Sequence, residues 1–328
     1  MKVYCRSPYP EKALDVLKGM FDEVVYDPWT ATGERFYEDE MLEHLLIEKP
    51  DVLITELDRV TAKVLAGYKG LKAIGDCRAA PANIEVDECT KAGIPLLCTP
   101  GRNNQAVAEM EVAGIIMLYR NMLPAMDFLK EGKWVPGTTP YFLFMGHELQ
   151  GRKVGFVGFG AVGQAAAKIM DGFDCDICFY GHQGGDMGHY KKVGLEELFA
   201  TCDIVSLHLP VTDETRGMIN EKLLRTMKKD AILVNYARSA VIDTPALIKM
   251  LDEKAIAGAV IDVFDNEPPA MEDVAILNKP NIILTPHIAG ATYEVTNHQA
   301  DIINERLGQW LKGENLERIV YNKAVLAK

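Results

Sequence analysis

The 328-residue sequence has no long hydrophobic run and a deficit of basic charge, and each absence excludes a class of protein. Its richest apolar stretch, residues 112–119, is far shorter than the ~20 residues that span a bilayer, so we expect no membrane partner. Lysine and arginine number 35 against 47 aspartates and glutamates, which gives a net charge of −12. Because nucleic-acid binders and anionic-membrane binders need a basic surface, we expect no nucleic-acid partner either.

Cysteines are also few, and their positions do not suggest a disulfide framework. The seven cysteines are odd in number and scattered, and the opening MKVYCRSPYPEK lacks the apolar segment of a signal peptide. We therefore expect a cytoplasmic protein with reduced thiols. Cys175 and Cys178 form a CxxC pair, but they lie in a predicted strand, where residues three apart point to opposite faces. No second CxxC completes a zinc site, so we predict no metal.

The chain is long enough for about two domains at roughly 150 residues each, and 48% hydrophobic residues can supply both cores. Its first hundred residues alternate short apolar segments with amphipathic segments such as 39–48 and 83–93. This order predicts an α/β fold with a doubly wound parallel sheet. The predicted strands are residues 2–5, 24–26, 52–55, 71–75 and 95–98.

A second array of strands and helices follows a long predicted helix. That helix is capped by Asn103 or Asn104 and runs to about Lys130, and an irregular, aromatic-rich stretch, residues 132–151, comes after it. The predicted strands of the second array are residues 153–157, 176–180, 204–207, 231–236, 257–261 and 282–284. A final helix, residues 292–312, has no strand after it, so periodicity leaves open which domain it joins.

The segment KVGFVGFGAVGQAAAKIM contains a GxGxxG pattern at Gly158, Gly160 and Gly163. An apolar strand precedes the pattern and an alanine-rich helix follows it. This context is the one that dinucleotide binding requires, because the glycines allow close approach of pyrophosphate to a helix N-terminus. A merely glycine-rich turn is the alternative.

The acid that should bind the adenosine ribose, about 20 residues further on, is missing. Gly181 occupies the expected position, between Tyr180 and His182, and the nearest acid is Asp186. No arginine stands there to hold a 2′-phosphate. The residues therefore predict a dinucleotide without choosing between NAD and NADP.

Polar residues follow four predicted strands of the second array: His208, Arg238, Asp262 with Glu267, and His287. The carboxyl ends of parallel strands share one edge, which is where ligands bind in open sheets. Arginine can grip a carboxylate with two hydrogen bonds, and histidine can exchange a proton near neutral pH. A carboxylate beside that histidine favours its charged form and fixes its tautomer. Taken singly, each residue could instead be structural or solvent-facing.

Five segments, in this order, resemble the D-isomer-specific 2-hydroxyacid dehydrogenases: VGFGAVG, HLPVTDETRGMIN, NYARSAVID, AGAVIDVFDNEPP and TPHIAG. TPGRNNQAVAE at residues 99–109 extends the resemblance over most of the chain. The family includes phosphoglycerate dehydrogenases, glyoxylate/hydroxypyruvate reductases and formate dehydrogenases. The resemblance implies a Rossmann-type nucleotide domain, residues 102–289, inserted into a flavodoxin-like substrate domain, residues 1–101 and 290–328. It also implies a homodimer, to which the aromatic run 141–145 could contribute an apolar contact.

The resemblance implies hydride transfer between NAD(P) and a small 2-oxo or 2-hydroxy acid, with NAD favoured. It places the catalytic arginine on Arg238, the acid on Glu267 and the acid/base on His287, and Asp262 at the nicotinamide amide. The candidate cofactor-binding residues are Gly158, Gly160, Ala161, Val162, Gly163, Tyr180, His182, His208, Pro210, Thr215, Ala237 and Asp262. The candidate substrate-binding residues are Arg78, Ala79 and Arg238.

Three features depart from the family pattern. Ser239 stands where a glycine usually follows the arginine, so the backbone there should be less free, and Gly181 replaces the usual ribose-binding acid. Arg78 lies in a loop that is often glycine-rich and uncharged, and it is either solvent-facing or a partner for a second anionic group of an acid with four or more carbons. A formate-type dehydrogenase and a dinucleotide-sensing corepressor remain alternatives.

Overall fold

The structure is a computed structural model, and it describes residues 1–182, 187–270, 274–277 and 279–327. The chain forms two compact units. Unit 1 comprises Met1–Arg102 and Thr292–Lys328, and unit 2 comprises Asn103–Ala291. Unit 2 is thus one continuous segment, whereas unit 1 is assembled from both ends of the chain.

Both units are built on parallel strands. The strands of unit 1 are β1 (Lys2–Cys5), β2 (Glu23–Tyr26), β3 (Val52–Thr55), β4 (Ala73–Asp76) and β5 (Leu96–Cys98). The strands of unit 2 are β6 (Lys153–Val157), β7 (Asp176–Tyr180), β8 (Lys191–Lys192), β9 (Ile204–Leu207), β10 (Ile232–Asn235), β11 (Gly258–Ile261) and β12 (Ile282–Leu284).

The helices lie between the strands. They are α1 (Glu11–Met20), α2 (Glu38–Glu48), α3 (Ala62–Gly67), α4 (Val86–Lys91), α5 (Asn104–Tyr119), α6 (Met122–Lys130), α7 (Ala161–Asp171), α8 (Leu195–Thr201), α9 (Glu221–Leu224), α10 (Thr244–Asp252), α11 (Val274–Leu277), α12 (Tyr293–Lys312) and α13 (Leu316–Ile319). Short 3₁₀ helices span Trp29–Ala31, Ser239–Val241 and Lys323–Ala327.

The strand orders confirm two doubly wound sheets. Unit 1 has the order β2-β1-β3-β4-β5, which is the flavodoxin-like order, and every pair in it is parallel. Unit 2 has the order β12-β11-β10-β9-β6-β7-β8, which is the Rossmann order with one strand added. Strand order reverses between β6 and β9, so the carboxyl end of β6 is the expected ligand position of this sheet. The two-residue strand β8, which pairs with β7, was not predicted.

The single long helix predicted up to about Lys130 is instead two helices, α5 and α6, with a bend of 65° between them. Asn121 separates them with a φ of 50°, in the left-handed region that ends a right-handed helix. Its side-chain amide donates to the Met145 carbonyl oxygen at 3.0 Å, which holds the bend. Among the described residues no single helix has the length and apolarity to cross a membrane. The bent pair α5 and α6 reaches that length and apolarity only when the two helices are taken together.

Each sheet buries both of its faces, as its near-continuous apolar strands require. In unit 2, Cys178 belongs to the cluster on one face, while Cys175 packs against the cluster on the other. The expectation that the CxxC pair points to opposite faces is thereby confirmed. Cys178 Sγ lies 3.4 Å from Cys202 Sγ, and Cys175 Sγ donates to the Leu149 carbonyl oxygen.

Candidate active site

The glycine turn lies at the carboxyl end of β6 and leads into α7. Gly158 has a φ of 89°, and a Cβ there would lie 2.6 Å from the carbonyl oxygen of His208, so no larger residue fits. A Cβ at Gly163 would lie 3.1 Å from the Gly158 carbonyl oxygen, whereas one at Gly160 would meet nothing within 4 Å. Open space therefore lies over the turn, and the first amides of α7, from Ala161 and Val162, can bind pyrophosphate there.

The end of β7 carries Tyr180, Gly181 and His182. The carbonyl oxygen of Tyr180 accepts a hydrogen bond from the Gly158 amide at 2.7 Å, so this strand end lies against the glycine turn. None of the three residues carries a carboxylate. Asp186, the nearest acid in the sequence, lies outside the described residues.

The side chain of His208 is buried beneath the turn, in a polar cluster with Ser206 and Glu111. The Ser206 hydroxyl donates to Glu111 Oε1 at 2.7 Å and lies 3.0 Å from His208 Nε2. His208 Nε2 also lies 3.3 Å from Glu111 Oε2, and Glu111 is fully buried. Neither Glu111 nor Ser206 was predicted. The available signal was a lone acid four residues from both Val107 and Ile115 on an apolar helix face.

Pro210 and Thr215 lie further along the same connection, beyond β9. The Thr215 hydroxyl donates to the Pro210 carbonyl oxygen at 2.6 Å, and the Thr212 amide donates to Thr215 Oγ1 at 2.8 Å. Thr215 therefore holds this loop in shape, and its predicted contact with the cofactor remains a prediction.

Arg238 lies in a turn that follows β10. Asn235, the buried last residue of that strand, fixes the turn at two points. Its side-chain amide donates to the Arg238 carbonyl oxygen at 2.9 Å, and its side-chain oxygen accepts from the Ala237 amide at 3.0 Å. The Arg238 side chain is exposed, and its Nη1 donates to the Ala237 carbonyl oxygen at 2.6 Å. Asn235 was not predicted, although an asparagine at a strand end is a common turn former.

Asp262, which follows β11, holds the turn that carries His287. Its Oδ1 accepts from the Thr285 hydroxyl and from the Ile288 amide at 3.0 Å. Its Oδ2 accepts from the Ala289 amide at 3.0 Å, and the residue is 1% exposed. Asp262 therefore positions the His287 turn, and its predicted contact with the nicotinamide amide remains a prediction.

Glu267 and His287 form a close acid–imidazole pair. His287 Nδ1 lies 2.7 Å from Glu267 Oε2, and the two side chains are 47% and 40% exposed. Glu267 Oε1 accepts from the Phe264 amide at 3.3 Å, which orients the carboxylate. Among the described residues nothing bonds to His287 Nε2, so that nitrogen can face a ligand. The groups predicted at the strand ends thus share the carboxyl edge of one sheet, the edge that also carries the glycine turn.

In unit 1, Arg78 and Ala79 follow β4 at the carboxyl edge of the other sheet. Arg78 is half-buried, and within the described part of the chain its guanidinium has no hydrogen-bond or ion-pair partner. By contrast, Arg102 Nη1 donates to Glu56 Oε1 at 2.7 Å. Asp76 is fully buried, and this burial raises the pKa of its carboxyl to about 7, although the charge of Arg78 acts to lower it.

The sheet order and the glycine turn of unit 2 define a dinucleotide-binding α/β protein. The family model of the NAD-binding domain of D-isomer specific 2-hydroxyacid dehydrogenases matches residues 112–289. YoaD of Bacillus subtilis (strain 168), named as a 2-hydroxyacid dehydrogenase, is 42% identical over 99% of this chain and 96% of its own. The glyoxylate reductase of Thermofilum pendens (strain DSM 2475 / Hrk 5) is 37% identical over 99% of this chain and 95% of its own.

Solved structures agree with this assignment. D-2-hydroxyisocaproate dehydrogenase is 26% identical, with a TM-score of 0.82, over 98% of this chain and 100% of its own. An acyclic imino acid reductase in complex with NADPH and D-Arg is 26% identical, with a TM-score of 0.79, over 98% of this chain and 99% of its own. The chain belongs to the D-isomer specific 2-hydroxyacid dehydrogenase family. It is an NAD(P)-dependent oxidoreductase that transfers hydride to or from small 2-oxo and 2-hydroxy acids.

Proposed function

We propose that the chain interconverts a small 2-oxo acid and its D-2-hydroxy acid with NAD, using His287 as the acid/base, Glu267 to orient it and Arg238 to bind the substrate carboxylate. The observation that carries this proposal is the 2.7 Å contact between His287 Nδ1 and Glu267 Oε2. This pair lies on the sheet edge that holds both the glycine turn and Arg238. A proton donor, a carboxylate-binding group and a dinucleotide turn are the parts that hydride transfer to a keto acid requires.

The pair assigns a role to each ring nitrogen of His287. An ionised carboxylate only accepts hydrogen bonds, so Nδ1 carries the proton in the contact with Glu267. Nε2 then faces the substrate oxygen. In the reductive direction Nε2 gives its proton to that oxygen, and in the oxidative direction the neutral Nε2 takes a proton from the hydroxyl. The bound nicotinamide supplies or accepts the hydride.

Arg238 binds the substrate through the donors that its own turn does not use. Nη1 donates to the Ala237 carbonyl oxygen, and the other guanidinium N–H groups have no partner among the described residues, so they can make a two-pronged contact with a carboxylate. Arg78 and Ala79 are proposed as further substrate-binding residues in unit 1. This role is supported by the guanidinium of Arg78, which has no hydrogen-bond or ion-pair partner in the described part of the chain.

NAD is the proposed cofactor on the strength of the family resemblance, since Tyr180 and Gly181 supply neither an arginine for a 2′-phosphate nor an acid for the ribose. A cytoplasmic site of action is proposed as well, supported by the seven cysteines, all of which are free thiols. We propose a homodimer through unit 2, where Tyr141 and Phe142 are 70% and 76% exposed and large apolar side chains of α6 are exposed too. Light scattering of the wild type and of Phe142→Asp tests the dimer: mass should halve in the variant.

The test of the activity is a turnover assay with a panel of 2-oxo acids, and of formate in the reverse direction, with NADH or NAD and NADPH or NADP. Reduction of a 2-oxo acid, faster with NADH, is expected. Turnover of formate alone would instead indicate a formate dehydrogenase. Binding of NADH with no turnover on any acid would instead support the dinucleotide-sensing corepressor.

A further inference from the structure

Ser239 directly follows the proposed substrate-binding arginine and begins the 3₁₀ helix Ser239–Val241. Its φ is not positive, so a serine occupies this position without backbone strain. Its hydroxyl donates to the Phe264 carbonyl oxygen at 2.8 Å. The segment after β10 is thereby bonded to the segment after β11, 25 residues further along the chain.

The main chain of Phe264 continues this connection to the acid–base pair. Its amide donates to Glu267 Oε1 at 3.3 Å, and Glu267 Oε2 lies 2.7 Å from His287 Nδ1. Three hydrogen bonds therefore link Ser239, the neighbour of Arg238, to His287. Because Phe264 uses its carbonyl on one side and its amide on the other, a shift at Ser239 changes the position of the Glu267 carboxylate.

We infer that Ser239 is a positioning residue, whose hydroxyl holds the Arg238 turn and the Glu267 loop in register. The inference rests on the proposed roles of Arg238, Glu267 and His287. Residues 262–270 contain no helix or strand, so hydrogen bonds to neighbouring segments determine the position of this loop. A displacement of a fraction of an ångström between a proton donor and the group that binds the substrate is enough to slow proton transfer.

The experiment compares Ser239→Ala and Ser239→Thr with the wild type for kcat, for KM of the 2-oxo acid and for the NADH dissociation constant. Ser239→Ala should lower kcat about 3- to 30-fold, the scale of one lost positioning hydrogen bond. The dissociation constant of NADH should stay within about twofold, since the glycine turn is untouched. Ser239→Thr keeps the hydroxyl and should retain most of the activity. Thr226→Ala is the matched control, because Thr226 Oγ1 donates to the Leu223 carbonyl oxygen at 2.7 Å, away from the site.

A second measurement separates positioning from simple structural support. In a Glu267→Gln background, Ser239→Ala should lower kcat by less than about twofold, because the carboxylate that Ser239 positions is already absent. Equal losses in the two backgrounds, a change in KM alone, or a lower melting temperature with unchanged kcat would each overturn the inference. If the wild type turns over no 2-oxo acid, the proposed function itself fails and the inference fails with it.

Discussion

His287 meets Glu267 from a left-handed backbone conformation, with a φ of 53°, and its Nδ1 lies 2.7 Å from the carboxylate. This conformation is unfavourable for a residue with a Cβ, and it persists where the surroundings hold it. Asp262 holds this conformation in place, because its carboxylate accepts hydrogen bonds from the amides of the next two residues, Ile288 and Ala289. The buried carboxylate of Asp262 therefore holds His287 in this strained conformation, and this fixes the direction of the imidazole ring.

Replacing His287 by alanine should reduce turnover by roughly 10²- to 10⁴-fold, the usual contribution of a positioned acid or base. Binding of NADH, measured by fluorescence titration, should stay near that of the wild type. His189→Ala is the matched control, because His189 Nε2 also has a carboxylate partner, Asp171, at 3.0 Å, outside the site. Wild-type turnover in a correctly folded His287→Ala protein would remove this residue from the mechanism.

Replacing Arg238 by lysine should not restore the activity that Arg238→Ala loses. Lysine offers a point charge in place of the planar fork that matches a carboxylate. Steady-state kinetics should show the loss in both kcat and KM for the 2-oxo acid. Arg225→Ala serves as a control, since Arg225 is an exposed arginine paired with Glu221 and Glu253. If lysine recovers most of the activity, the two-pronged contact is wrong.

Introducing an acid at Gly181 should strengthen the preference for NADH over NADPH. The carboxylate of Gly181→Asp would accept from the adenosine ribose hydroxyls and repel a 2′-phosphate. Titration of both cofactors against wild type and variant measures the change as a ratio of dissociation constants. An unchanged ratio would show that residue 181 does not lie at the ribose.

Removing the Arg78 guanidinium should penalise substrates that carry a second anionic group. For Arg78→Ala we expect kcat/KM to fall more for a functionalised acid of four or more carbons than for glyoxylate, because only the larger acid can pair with the guanidinium. Arg59→Ala is the control in the same unit, since Arg59 Nη1 already donates to the Ala82 carbonyl oxygen at 3.3 Å. Equal losses for both acids, or no loss, would return Arg78 to a solvent-facing role.

The stability of unit 1 should depend on pH through Asp76. Burial raises its folded-state pKa to about 7 from the usual 3.8, so between these values the folded chain keeps a proton that the unfolded chain releases. Stability therefore falls as pH rises through that window, by an amount on the order of 4 kcal/mol. Asp76→Asn cannot ionise, so its melting temperature relative to the wild type should rise from about pH 5 to about pH 8.

Calorimetry of the wild type, of Asp76→Asn and of the exposed control Asp213→Asn across this range checks the effect. A difference between Asp76→Asn and the wild type that does not change with pH would contradict it.

Much of the fold follows from local patterns in the sequence. The predicted strands 153–157, 176–180, 204–207 and 282–284 coincide with β6, β7, β9 and β12, because each is an apolar run bounded by charged residues or turn formers. The break between α5 and α6 was missed, since a left-handed asparagine leaves the apolar periodicity on both sides intact. The strand predicted at residues 71–75 is shifted in the structure to Ala73–Asp76, because a buried acid does not resemble a strand residue.

The site residues named from the sequence are those whose side chains have a chemical role in hydride transfer or whose glycines form the turn. Residues that hold those side chains, such as Asn235, Glu111 and Ser239, make contacts set by neighbouring strands and loops that are distant in sequence. Such contacts have no period and no fixed spacing, so the sequence alone does not reveal them. Asp262 was predicted as a contact of the nicotinamide amide. Its hydrogen bonds to the His287 turn depend on the pairing of β11 with β12, which the sequence does not reveal.

The division of the chain between its two units has a consequence for biosynthesis. Unit 2 is one continuous segment, Asn103–Ala291, whereas the core of unit 1 combines Val3 near the start of the chain with Ile303 of α12. A ribosome releases the nucleotide-binding unit whole before it has made the helix that covers one face of the first sheet. Translation that stops near residue 291 therefore yields a chain with a finished glycine turn and an uncovered apolar sheet, a species prone to aggregate.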